Sequence, residues 1–166
     1  MIIRLSSKLA KKIHVKPSVV LPADKNLYAD WSAHLFTFDR TQYIIITNTA
    51  SLYSVVIYGK GITNDSIFIK KVMNTLNEVL TDDGFSIIFH NFIAPASETV
   101  SFSKALNRSV TGSMNELIFT AQLHLEAQDT SLYDLSFHLN DIIMKFNDYA
   151  TGKEAFRQLL SKSKKN

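Results

Sequence analysis

Between Trp31 and Gly59 the chain carries three runs that suit a pleated sheet. WSAHLFTF (Trp31–Phe38), YIII (Tyr43–Ile46) and LYSVVIYG (Leu52–Gly59) are dense in β-branched and aromatic residues. The turn DRTQ (Asp39–Gln42) parts the first two, and TNTAS parts the second pair. Strands joined by such short polar loops read as an antiparallel meander. Beyond it the apolar period lengthens from two to nearly four. Ile69, Val72, Met73, Leu76 and Leu80 share one helical face, with Asn64 or Asp65 as cap and Gly84 at the far end. The expected fold is therefore α+β: a small antiparallel sheet near residues 31–59 with one face covered by several amphipathic helices.

The flanks are less regular. Ile2–Leu5 is a short β-like run, and Ser6 or Ser7 can cap a brief helix carrying Leu9 and Ile13. FSIIFHNFI (Phe85–Ile93) fits a helix by Phe85, Ile88, Phe89 and Phe92, and a strand by Phe85, Ile87 and Phe89. ETVSFSK (Glu98–Lys104) alternates as a strand returning to the sheet would. Three hydroxyl-then-acid pairs follow: Ser113 with Glu116, Ser131 with Asp134, and Thr151 with Glu154. Each predicts a helix start at which the hydroxyl accepts a free backbone N–H and the carboxylate reaches back.

Composition narrows the chemistry. The 166 residues suffice for one self-supporting domain, 1–166, with a flexible basic tail from about 161. There is no cysteine, which excludes disulfides, thiolate nucleophiles and Cys-based metal or cluster sites. No secretory leader and no long apolar run is legible, so a cytoplasmic protein without a membrane span is expected. The histidines, His14, His34, His90, His124 and His138, show no local ligand spacing. No metal and no cofactor is predicted. S-x-x-K occurs at Ser101–Lys104 and again in the tail, without the companion motifs that would give it meaning.

The stretch NRSVTGSMNELIF, Asn107 to Phe119, stands apart. With Ser113 as cap, Asn107–Gly112 is the loop leading into a helix over 114–127. Small residues at a helix N-terminus leave free N–H groups and a positive dipole end for an anion. Arg108 offers a planar fork, and Ser109, Thr111 and Ser113 offer hydroxyls. Asn107 and Asn115 flank this cradle. Read structurally, Gly112 only permits a tight turn, Ser113 only caps, and Arg108 pairs with a carboxylate. The stretch is not a Walker loop, since no lysine follows the glycine.

NRSVTGSMNELIF also resembles the signature of an uncharacterised family of small bacterial and archaeal proteins, domain of unknown function 6933. IIRLSSKLAKKI resembles that family's basic N-terminal strand and helix. WSAHLFTFDRTQYIIITNTASLYSVVIYG resembles its Trp-led strands and the Asn-Thr turn after them. The resemblance brings no activity. It implies that a shared site involves Trp31, Asn48, Thr49, Asn107, Arg108, Ser109, Gly112, Ser113 and Asn115. Thr111 departs from the aliphatic residue of the pattern and makes this loop more polar.

Three functions stay open on these residues. The first is a cytosolic binding or regulatory module that recognises an anionic group, in a nucleotide, nucleic acid or protein, at the loop of Arg108–Ser113. The second is a phosphate-handling hydrolase or transferase using the same loop, with His34 as base. The third is a structural or oligomerising partner protein. Lys8, Lys11, Lys12 and Lys16 form a basic cluster, but no nucleic-acid-binding motif accompanies them. Trp31 is expected to anchor the sheet rather than to meet a ligand.

Overall fold

The computed structural model describes residues 1–127 and 130–163. The meander forms as the residues predict. Strands β2 (Asp30–Phe38), β3 (Thr41–Asn48) and β4 (Ser54–Tyr58) pair antiparallel. The first reversal is tighter than DRTQ suggested. Phe38 already pairs with Thr41, so Asp39 and Arg40 alone turn the chain, both left-handed at φ 43 and 62. Two such residues in succession match the twist of the flanking strands.

Two further strands make the sheet mixed. β1 (Ile2–Leu5) runs parallel to β2 on one side and to β5 (Ser101–Ser103) on the other, giving the order β4-β3-β2-β1-β5. Helix α1 (Ser7–Lys12), capped by Ser6, lies on the path from β1 to β2. The strand expected within Glu98–Lys104 is β5.

Helices cover both faces of the sheet, not one. Trp31, Ala33, Ile44, Ile46, Val55 and Ile57 point to one side. They pack on Leu9 of α1, on Ile13 at its C-terminal end and on Phe68, Val72, Leu76 and Val79 of α2 (Asp65–Asp82). Phe36, Tyr43, Ile45 and Val56 point to the other side. There they meet Val110, Met114, Leu117 and Ala121 of a long helix and Leu135 and Leu139 of a shorter one. The continuous apolar run YIII requires this, because its alternate side chains enter opposite cores.

The ambiguous segment is helical. It starts as α3 (Ser86–Ile88) and widens into a π turn over Phe89–Ile93. Phe85, Phe89 and Ile93, four residues apart, are its buried side chains. Asn64 caps α2, and Gly84 follows it at φ 84.

One helix start is corrected. The long helix, α4, spans Arg108–Ala127, so Asn107–Gly112 is not a loop. Asn107 is its cap: Asn107 Oδ1 accepts the Val110 N–H at 3.0 Å. The buried stripe begins at Val110, 3% exposed, and burying that side chain draws the turn before Ser113 into the helix. Gly112 lies inside the helix without a left-handed φ, and a Cβ there would meet nothing within 4 Å. Asn107→Ala should therefore cost about 1 kcal/mol. Ser113→Ala should leave stability nearly unchanged, and Gly112→Ala should raise it by up to about 1 kcal/mol. Urea midpoints of the three variants decide. A loss confined to Ser113→Ala would restore Ser113 as the cap.

Both other hydroxyls cap helices, but at Ser131 the Asp134 carboxylate accepts from the hydroxyl and not from the backbone. Ser131 Oγ caps α5 (Leu132–Asn140). After the small ribbon β6 (Ile143–Met144) and β7 (Ala150–Thr151), Thr151 and Glu154 form a complete capping box. That box opens α6 (Gly152–Arg157), which α7 (Leu159–Ser163) follows. The rest of the basic tail lies outside the described residues. Among the described residues no helix is long and apolar enough to cross a membrane.

Candidate functional site

Two regions of this fold differ in whether their polar side chains have hydrogen-bond partners. The first is a row crossing the whole sheet at one register. Ser54, Thr47, Ser32, Arg4 and Ser103, one from each strand, stand side by side, each at most 3% exposed. Thr47 and Ser54 share a hydrogen bond of 2.8 Å, and Ser32 bonds Thr49 at 2.9 Å. Asn140 of α5 brackets Ser54, accepting its N–H at 2.7 Å and donating to its carbonyl at 2.9 Å. Arg4 reaches Asp30, Ser103 and two carbonyls. Every donor on its guanidinium is engaged. Such a row holds the scaffold together and has nothing left to offer a ligand.

The second region is open. β1 and β5 are parallel neighbours, yet α1 leaves β1 toward one face while α4 follows β5 on the other. Where the exits of two parallel strands diverge in this way, a crevice forms at their C-terminal ends. Here it has a volume of about 930 Å³. Ser6, Ser7, Ala10 and Lys11 form its α1 wall, Lys104 and Ala105 follow from β5, and Thr111 comes from α4. The segment after α1 closes the third side with His14, Val15, Lys16, Pro17 and Val20. That segment is tied down where Lys104 N–H bonds Val19 O at 3.1 Å and Leu21 N–H bonds Ser103 Oγ at 2.9 Å. His14 turns the chain into it, left-handed at φ 58.

His34 also lines the crevice. It is 9% exposed, and among the described residues its ring nitrogens have no hydrogen-bond partner. Burial pushes its pKa below the usual 6.5, so the ring is neutral at pH 7. A neutral imidazole has one donor and one acceptor, and both face the opening. Around it stand Lys11, Lys16, Lys104 and His14, with no carboxylate and no Phe, Tyr or Trp among the described lining residues.

Of the residues singled out in the sequence, His34 and Thr111 meet at this crevice. Thr111 is half-buried, and its hydroxyl donates to Asn107 O at 3.1 Å, leaving its acceptor capacity free. Arg108, Ser109, Gly112 and Asn115 are exposed and Ser113 is half-buried, all on α4 outside the crevice lining. Trp31 and Asn48, paired across β2 and β3, are wholly buried. The Asn48 side chain is spent on the Asn-Thr turn. Its Oδ1 accepts from the Ala50 and Ser51 N–H groups at 3.2 and 3.1 Å, and its amide donates to Leu27 O at 2.9 Å.

Lys104, His14 and Val20 were not legible as site residues, because nothing local in the sequence links them. Lys11 and Lys16 carried a signal in the basic N-terminal cluster. Among the described residues no three His, Asp or Glu side chains gather to hold a metal ion. A family model described as Domain of unknown function (DUF6933) matches residues 2–155 of the chain. No curated protein and no solved structure matches it.

Proposed function

The chain belongs to the family of domain of unknown function 6933, and on that premise, which brings no activity with it, we propose that it is a binding module for a small anionic molecule. The site is the crevice at the C-terminal ends of β1 and β5. One observation carries the reading: a nine-tenths buried, unpartnered His34 faces an opening lined by three lysines and no acid. A cleft bearing one sign of charge concentrates ligands of the other. Of the stretch Arg108–Ser113, Thr111 is the residue that lines this crevice. Arg108 stands three residues before it on α4, outside the lining. Recognition is favoured over catalysis because no carboxylate or carbonyl orients the His34 ring as the acid of a catalytic triad orients its histidine.

The test is an amide-resolved NMR titration with octanoate, adenosine monophosphate and inorganic phosphate, each alone. At least one should shift Lys11, His34, Lys104 and Thr111 together. A bound anion favours the charged imidazolium, so the His34 titration midpoint should move upward on saturation. If none of the three shifts these residues, the crevice is not an anion site.

A further inference from the structure

We infer that the molecule this crevice takes is an aliphatic acid, a hydrocarbon chain ending in a carboxylate. The inference rests on the anion-binding reading and adds the nature of the body behind the charge. The wall between the cations is built from Leu5, Ala10, Val15, Pro17, Val20 and Ala105, all aliphatic. The chain has eleven Phe, six Tyr and one Trp, and none of those described lines this opening. An aromatic face on which a nucleobase could stack is missing from the described lining. A polyphosphate is held by glycine-rich backbone cradles, and no glycine lines the crevice either. Aliphatic walls suit methylene groups, which have shape and hydrophobicity but no π face.

The lining combines exposed cations with buried apolar side chains. Lys11, Lys16 and Lys104 are exposed and form the rim, where one carboxylate can meet an ammonium without leaving water entirely. Leu5 and Ala10 are buried, 5% and 7% exposed, and offer apolar surface on which a chain loses its hydration. Val20 is 51% exposed, a large apolar side chain left over the opening with nothing covering it. A cavity of about 930 Å³ is larger than an eight-carbon acid needs. The acid fits either as a free molecule or as an acyl anion taken from a bilayer.

The experiment measures dissociation constants for acetate, butanoate, hexanoate and octanoate by the same crevice amides, with octanol, adenosine monophosphate and inorganic phosphate beside them. Affinity should rise about threefold to fourfold for each methylene buried. Octanol, lacking the charge, should bind at least about tenfold more weakly than octanoate. Lys104→Glu and Val20→Asp, both at exposed positions, should keep the wild-type melting temperature and lose octanoate.

If acetate, phosphate or the nucleotide binds as tightly as octanoate, the anion site stands and the aliphatic assignment fails. If no probe shifts the crevice, both fail. Octanoate binding that survives both substitutions places it elsewhere and overturns the assignment. Sedimentation with vesicles of phosphatidylcholine and phosphatidylglycerol separates the two sources. Capture by vesicles without any crevice response to free octanoate would mean a surface that reads lipid headgroups, and the assignment would again fall.

Discussion

Replacing Arg4 with alanine is expected to destabilise the protein by about 3–5 kcal/mol, the scale for breaking a buried ion pair. Arg4 is 1% exposed on the strand between β2 and β5. Its Nε donates to Asp30 Oδ1 at 2.8 Å and its Nη2 to Asp30 Oδ2 at 2.7 Å, a bidentate fork. Nη1 reaches Leu21 O at 2.9 Å and Ser103 Oγ at 3.3 Å, and Nη2 reaches Pro22 O at 3.1 Å. Alanine would strand the Asp30 carboxylate, 2% exposed, with only the Asp24 N–H at 3.0 Å beside it. It would also leave the carbonyls that pin the segment after α1. Since that segment forms one wall of the crevice, stability and binding should be lost together. Lysine should not rescue, because a point charge cannot reproduce the fork. Chemical denaturation of Arg4→Ala, Asp30→Asn and the double variant tests this. The double variant should lose clearly less than the sum of the single losses. Additive, small losses would mean that the pair contributes little.

Trp31→Ala is expected to cost a comparable amount, about 3–5 kcal/mol. The indole is 0% exposed, and its N–H donates to Tyr28 O at 2.8 Å. Its ring lies 6.2 Å from that of Phe156, which also packs on Tyr28, Tyr53 and Phe85. Removing it opens a void where β2, the turn before it and α6 meet. Trp31→Phe should cost less, fill most of the space and leave the Tyr28 carbonyl unpaired, about 1–3 kcal/mol. Trp31 is the sole tryptophan, so native emission reports on this position alone. It should be blue-shifted and should move to the red on unfolding. An emission maximum typical of hydrated indole in the native protein would contradict the burial and return Trp31 to the list of ligand contacts.

Local chemistry decided much of this fold. The meander was legible because Trp31–Phe38, Tyr43–Ile46 and Leu52–Gly59 are β-formers separated by residues that turn. The caps at Asn64, Ser131 and Thr151 were legible because a cap is a matter of four consecutive residues. The absence of thiol chemistry follows from composition alone. At the start of α4 two caps competed within seven residues, Asn107 and Ser113. Propensity does not separate them, since both accept an N–H equally well. The burial of Val110 chose Asn107, and burial is a property of the whole packed chain.

Long-range pairing was beyond local reading. Arg4 meets Asp30 across 26 residues and Ser103 across 99, and no pattern inside IIRL names either partner. What that short strand does announce is a charge among apolar neighbours, which must be paired if buried. The crevice is the same case. His34 was singled out on its strand and Thr111 in its stretch, but Lys11, Val20 and Lys104 join them only because β1 and β5 are neighbours whose helices leave toward opposite faces. Residue types and spacing determined which elements this chain makes and how each begins. The parallel pairing of β1 with β2 and β5, driven by burial on both faces of the sheet, decided which side chains share a site, because contact between distant segments exists only once the chain has folded.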